Sequence, residues 1–231
     1  MLPRNLRAAR GRGHNVVMRV IAGKYRGANL TAPPGCETRP ITDRAKETLF
    51  NVLGHKFGMA GVLPDVAALD LFAGSGSLGI EALSRGARSC LFVERGRSAL
   101  RILRENLRKL RLEAVAAASA ENAWTMRVPV ADPDGYGVIF VDPPYREVAD
   151  THRMLDLLER LAPRLASEGV LVFRHEDKTD FPAEELRGLV NIDNREIGSM
   201  RIRYFSRADV NPQRDAESPE AEDGTPPVTQ E

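Results

Sequence analysis

The stretch from Val66 to Gly79 constrains the fold of this chain more than any other. Val66-Ala67-Ala68-Leu69-Asp70-Leu71-Phe72 is apolar enough for a buried strand. Ala73-Gly74-Ser75-Gly76 is a glycine-rich turn, and a helix carrying Leu78, Ile80 and Leu83 follows, ending at Gly86. Gly74, Gly76 and Gly79 match G-x-G-x-x-G, and Glu94 closes the next strand at the distance expected of an acid that holds ribose hydroxyls. Strand, turn and helix in that order imply a doubly wound α/β sheet with its ligand at the carboxyl ends of the strands.

A glycine fingerprint alone suggests a nicotinamide dinucleotide, or a turn that merely packs a helix on a strand. Asp70 weighs against the dinucleotide, because a carboxylate four residues before the first glycine faces a pyrophosphate and repels it. S-adenosylmethionine carries an ammonium and a sulfonium but no phosphate, and an acidic strand end favours both. The expected cofactor residues here are Asp70, Phe72, Gly74, Gly76, Gly79 and Glu94.

A second constellation begins at the apolar run Val138-Ile139-Phe140-Val141, followed by Asp142-Pro143-Pro144-Tyr145. The run reads as a buried parallel strand, which puts Asp142 at its carboxyl end. Two prolines fix φ twice and hold the acid extended. A carboxylate, an exposed carbonyl and an aromatic face on one rigid corner suit a planar base with an exocyclic amine: two acceptors meet two N–H hydrogens while the ring stacks. Asp142, Pro143, Pro144 and Tyr145 are the expected catalytic residues. A strand-ending turn with a surface tyrosine is the plainer alternative.

The chain has 231 residues and a net charge of +1, unevenly spread. Residues 1–56 carry 11 basic and 3 acidic side chains, and residues 209–231 carry 7 acids against Arg214. A basic front ahead of a catalytic domain is the footprint expected for an RNA backbone. Arg97, Arg101, Arg104, Arg108 and Arg111 recur three and four apart on one helix. The ordinary reading of that face is solvation opposite Leu100, Leu103 and Leu107, with an RNA-facing stripe as the alternative. Cys36 and Cys90 suit a reducing cytoplasm, and His14, His55, His152 and His175 form no ligand set, so no metal is expected. Neither a secretory leader nor a membrane-spanning run is expected.

The chain divides into a basic disordered tail (1–17), a hairpin and helix (18–58), a catalytic domain (59–208) and an acidic disordered tail (209–231). Strands are expected at 16–22 and 28–31 around Gly27, and a Thr42-capped helix at 43–57. Strands at 66–72, 88–94, 113–118, 137–142 and 168–174 alternate with helices at 77–85, 96–110, 120–126 and 150–165. An antiparallel pair at 189–196 and 200–207 closes the sheet.

The order from glycine loop through ribose acid to Asp-Pro-Pro-Tyr resembles the amino-methylating class I S-adenosylmethionine-dependent methyltransferases. Met18-Arg19-Val20-Ile21-Ala22-Gly23-Lys24-Tyr25-Arg26-Gly27, Thr38-Arg39-Pro40-Ile41-Thr42-Asp43-Arg44 and Leu49-Phe50-Asn51-Val52-Leu53 are similar to the bacterial 16S ribosomal RNA guanine-N2 methyltransferases. The likeness runs from Met18 to Arg207. It implies a Rossmann-like fold, S-adenosylmethionine as donor, and the N2 of one guanine in 16S ribosomal RNA, or in the assembling small subunit, as acceptor. It further implies a cytoplasmic, monomeric enzyme with Arg19, Lys24, Arg26, Arg39 and Arg44 toward RNA. The family has Asp or Asn before an alanine facing adenine. Here Ser119 precedes Ala120, with Glu121 next, and any of the three can make that contact. An adenine-N6 DNA methyltransferase and a non-catalytic RNA-binding assembly factor are the competing readings.

Overall fold

A computed structural model describes residues 18–32, 41–131 and 134–208. Both expected tails, Arg39, Cys36 and His14 lie outside the described residues. Among the described residues nine strands form two sheets. The small one pairs β1 (Met18–Arg19) with β2 (Asn29–Leu30), antiparallel. The main one contains β3 (Ala67–Leu71), β4 (Ser89–Val93), β5 (Ala116–Ser119), β6 (Tyr136–Val141), β7 (Leu165–Glu176), β8 (Leu189–Ile197) and β9 (Met200–Arg207), in the order β5-β4-β3-β6-β7-β9-β8. β3 to β7 run parallel, while β9 is antiparallel to both β7 and β8.

Every residue of β3 and β6 is buried, which is why neither shows polar alternation: each is covered on both faces. One face carries α1 (Asp43–Lys56), α2 (Ser77–Arg85) and α3 (Arg97–Lys109), packing Leu49, Phe50, Ile80 and Leu103 on Val138 and Phe140. The other carries α5 (Thr151–Leu161), whose Met154 and Leu158 join Trp124 against Ile139 and Val141. The strand order reverses between β3 and β6, opening a crevice at their carboxyl ends. No described helix is long and apolar enough to cross a membrane.

Local chemistry accounts for the element ends. Thr42 Oγ1 accepts the Ala45 N–H at 3.2 Å, as its position before α1 predicts. Gly86, at φ 122°, ends α2 in a conformation that favours glycine. Several expected bounds are corrected. The helix expected at 120–126 is a single turn, in which the Asn122 carbonyl accepts from Thr125 and Met126. There the Asn122 side chain takes the Trp124 N–H at 3.2 Å, a local bond that competes with helix. β5 starts at Ala116 rather than 113, since Val115 turns back onto the Leu112 carbonyl. Pro163 stops α5 early in a 3-10 turn, and β7 then begins at Leu165. The amino-terminal hairpin pairs over only two residues per strand.

So short a hairpin holds its place through α2 and α3. The carboxylate of Glu81 is fully buried and accepts the N–H groups of Ile21 at 2.8 Å and Ala22 at 3.0 Å. It also pairs with Arg85 at 2.8 Å, and buried Lys46 stands 3.8 Å away with its ammonium on the Arg19 carbonyl. Asn106 of α3 bonds both backbone groups of Thr31. Gly23 sits so close to α2 that a Cβ there would lie 1.8 Å from the Ser84 carbonyl oxygen. Replacing Glu81 by alanine strands two buried cations and two N–H groups. We expect a loss of about 3–5 kcal/mol in urea denaturation, in the range found when one partner of a buried pair is removed.

Candidate active site

Three carboxylates reach the crevice or underlie it, and the structure separates their roles. Asp70, read from sequence as facing the ligand, is 1% exposed, and its Oδ2 accepts the Gly79 N–H at 2.9 Å. It ties β3 to the first turn of α2. Burial above all pushes its carboxyl up to about 8; the Gly79 N–H opposes this, while Asp142 and Glu94 add to it. Gly76 and Gly79 also serve packing. A Cβ on Gly76 would approach Leu103 to 2.4 Å, and one on Gly79 would approach Phe92 to 2.3 Å. Gly74 differs: at φ 57° its outer side is open, with nothing nearer than the Phe72 carbonyl at 4.0 Å.

Glu94 joins two turns. Its carboxylate accepts the N–H of Gly74 at 2.9 Å and of Gly96 at 2.6 Å, one on each oxygen. The group is half-buried, and each oxygen keeps a further acceptor position. Ser119, half-buried at the end of β5, gives its carbonyl to the Glu94 N–H at 3.1 Å and its hydroxyl to the Glu121 N–H at 3.3 Å. Ala120 and Glu121 are exposed beside it.

Asp142 stands at the end of β6, where its Oδ1 accepts from Arg174 Nε at 2.6 Å. The Asp142 side chain is 18% exposed and the Arg174 side chain 4%, so a buried guanidinium backs a carboxylate that still reaches the crevice. Burial would lower the Arg174 pKa, but its bond and attraction to Asp142 outweigh that and raise it. Pro143 is buried, and Pro144 sets the start of α4 (Tyr145–Val148), which Tyr145 opens half-buried.

Arg174 and Trp124 escaped sequence reasoning, as did the backbone conformation of Phe72, a residue expected at the cofactor. Arg174 carried a signal, a lone cation at the end of an apolar strand. Phe72 holds φ at 60°, a costly conformation for an aromatic residue, and sets its ring edge-on to Trp124 at 5.1 Å. Trp124 is the meeting point of the rim: its indole N–H donates to Glu147 at 2.6 Å, Arg153 lies over its ring at 4.1 Å, and Arg160 holds its carbonyl at 2.6 Å. Glu147 also takes Arg95 at 2.7 Å, so α4, the turn after β4 and the segment after β5 are fastened together. Nothing in the local sequence announces contacts between residues so far apart.

The expected RNA-facing residues lie on the other flank. Arg19, Lys24, Arg26 and Arg44 are all exposed on the hairpin and α1, and Arg19 is paired with Asp43 at 2.7 Å. His175 is buried in β7 against Phe173, and burial brings its imidazole down to about 4. It is a packing residue, with its Nε2 accepting from Arg203 at 3.1 Å. Among the described residues no group of three or more His, Cys, Asp or Glu is placed to hold a metal.

A family model described as "Conserved hypothetical protein 95" matches residues 18–206. A Bacillus subtilis protein named "Putative rRNA methyltransferase YlbH" is 39% identical over 167 residues, 71% of this chain and 86% of that protein. "Ribosomal RNA small subunit methyltransferase D" of Escherichia coli K12 is 40% identical over 129 residues, 56% of this chain; the match spans 61% of that protein, under two thirds of its length. Among solved structures, "Putative methyltransferase yhhF" from Escherichia coli superposes with a TM-score of 0.63 at 32% identity, covering 83% of this chain and 98% of that one.

The high Asp70 value carries a prediction. Between about pH 4 and 8 the unfolded chain gives up the Asp70 proton while the folded one keeps it, so this group makes stability fall as pH rises through that window. Asp70→Asn keeps an acceptor for Gly79 and cannot ionise. Urea midpoints measured across the window should fall less steeply with pH than in the parent, and parallel slopes would show that Asp70 ionises normally.

Proposed function

The chain belongs to the family described as conserved hypothetical protein 95, and on that premise we propose that it methylates the exocyclic N2 of a guanine in small-subunit ribosomal RNA, using S-adenosylmethionine. The observation that carries this reading is Asp142: a carboxylate at a strand end, followed by two prolines and an aromatic residue, fixed by a buried arginine.

The residues present fit the donor. Gly74 leaves its outer side open to a close approach, and Glu94 retains acceptor capacity for a pair of ribose hydroxyls. Asp142 and Glu94 also destabilise the ionised form of Asp70, so the strand ends concentrate negative potential, which suits a cation. Phe72 and Trp124 supply an apolar wall, and Ser119, Ala120 and Glu121 border the side expected for adenine. S-adenosylmethionine, when bound, supplies a methyl group activated by its sulfonium.

Guanine N2 is a weak nucleophile because its lone pair is drawn into the ring. Asp142 accepts one N2–H and the Pro143 carbonyl the other. This holds the nitrogen on line for attack and favours a more pyramidal geometry. Arg174 occupies one oxygen of Asp142 and leaves the other for the amine. Tyr145 stacks on the base, which must leave its own stack to enter. After transfer the nitrogen sheds a proton, which Asp142 passes to water. A ribosomal substrate makes this a cytoplasmic enzyme of subunit maturation, acting as a monomer.

The direct test is methyl transfer to small-subunit RNA, alone and in the particle, with duplex DNA in parallel; equal activity on DNA would overturn the reading. Asp142→Ala should lower kcat on the order of a hundredfold while S-adenosylhomocysteine still binds. Arg174→Met should also act on kcat, with partial rescue by Arg174→Lys, because the carboxylate loses its fixed partner. Glu94→Ala should do the reverse, weakening S-adenosylhomocysteine binding by roughly 1.5–3 kcal/mol in calorimetry.

A further inference from the structure

Residues 95–112 hold seven arginines and lysines against one acid, Glu105. The remainder of the chain from 57 to 208 has a net charge of −7, so this positive charge belongs to one element and not to the domain as a whole. The inner side of α3 is committed to the core through Leu100, Leu103, Asn106 and Leu107. Arg97, Arg101, Arg104 and Arg108, with Arg111 just beyond the helix, are all exposed. Spaced three and four apart, Arg97 to Arg108 share one face about 16 Å long at ~1.5 Å per residue, and Arg111 follows where the chain leaves the helix at φ 55°.

A helix face kept only for solubility interleaves signs, because like charges one turn apart repel. Here a single arginine is answered by an acid: Arg101 meets Glu105 at 3.0 Å. Arg104 turns to the Ala118 carbonyl at 3.3 Å, and Arg97, Arg108 and Arg111 form no ion pair among the described residues. Apart from that one pair, the repulsion along the face is left standing. Its position has a direction as well. One end of α3 follows Gly96, whose N–H Glu94 holds at the crevice; near the other, Lys109 grips the Asn29 carbonyl of the hairpin at 2.7 Å. The neighbouring edge strand presents Ala116, Ala117, Ala118 and Ser119, so no bulky or acidic side chain of β5 stands beside the row.

We propose that this face of α3 is a docking track for the phosphate backbone of the substrate RNA, running from the hairpin to the crevice. It rests on the reading of the site as an RNA methyltransferase and adds the surface that holds the RNA outside the catalytic pocket. Guanidinium groups grip phosphate oxygens through paired N–H donors, and binding releases the counterions condensed on the RNA. An anionic lipid surface fits less well, because membrane-seated helices also offer an apolar side and that side of α3 is already buried.

The experiment uses the full chain and compares two triple variants. Arg101→Gln, Arg104→Gln and Arg108→Gln neutralise the track; Arg127→Gln, Lys178→Gln and Arg187→Gln remove equal charge from exposed positions elsewhere. Small-subunit RNA binding is titrated against salt, alongside S-adenosylhomocysteine affinity, thermal midpoint and methyl-transfer kinetics. The track variant should bind RNA at least roughly tenfold more weakly at low salt, with a log–log salt slope shallower by about 2. It should raise KM for RNA while cofactor affinity and melting stay at parental values. An unchanged slope and KM would overturn the track and leave the proposed reaction standing. Equal weakening in the control variant would also overturn it, by assigning the effect to total charge. Vesicles of anionic phospholipid that bind the parent more tightly than RNA does, and lose the track variant, would give the face to a membrane instead. A parent protein that neither binds nor methylates small-subunit RNA would remove the reaction and the track together.

Discussion

The buried carboxylate of Glu81 is the interaction on which the amino-terminal half of this structure depends. A hairpin of two residues per strand has too little pairing to hold a position. One side chain from α2 takes two of its N–H groups, while Lys46 brings α1 to the same point and Arg85 answers the charge. Burying such a set is expensive, and an apolar cluster of the same volume would cost less. An apolar cluster would not, however, specify which N–H groups sit where. The network therefore fixes the angle at which hairpin and α1 meet α2, the helix whose first turn carries the glycine loop.

At the opposite end of that helix, carboxylates with similar sequence settings do different work because their surroundings differ. Asp70 is sealed beneath the loop and holds a proton well above the usual carboxylate range. Glu94 is half-open and organises two turns through their N–H groups. Asp142 is anchored on one oxygen by Arg174 and keeps access to the crevice through the rest of its surface. A cation arriving among them offsets the charges of Glu94 and Asp142, whereas a pyrophosphate would add to them; Asp70 keeps its proton and contributes no charge. This is the physical basis for expecting a sulfonium donor here and not a pyrophosphate.

Much of this was legible locally. The G-x-G-x-x-G turn between a strand and a helix, the apolar runs of β3 and β6, Thr42 as a cap and the closing pair around Gly198 each depend on residues within a few positions of one another. Periodicity and turn chemistry report on such neighbours directly. The carboxyl-end position of Asp142 also followed, because a parallel strand has only one end at which a doubly wound sheet carries its ligands. The misplaced bounds at 113–118 and 120–126 failed for a local reason too: Leu112 and Asn122 engage nearby N–H groups and draw the chain into turns.

What only the tertiary structure decided was the direction and partner of each polar side chain. Sequence placed Asp70, Gly76 and Gly79 at the ligand, yet packing turned Asp70 inward to Gly79 and set both glycines against Phe92 and Leu103. Arg174 and Asp142 are separated by 32 residues and meet because β6 and β7 are neighbours in the sheet; Glu147 and Trp124, 23 apart, meet because the segments after β5 and β6 fold toward the end of β3, where Trp124 packs on Phe72. Residue type and spacing determine which elements form and which end of the sheet carries the chemistry. Long-range pairing determines which carboxylate is sealed, which is shared and which is left able to act, because burial and charge partners are properties of the assembled core and not of the local chain.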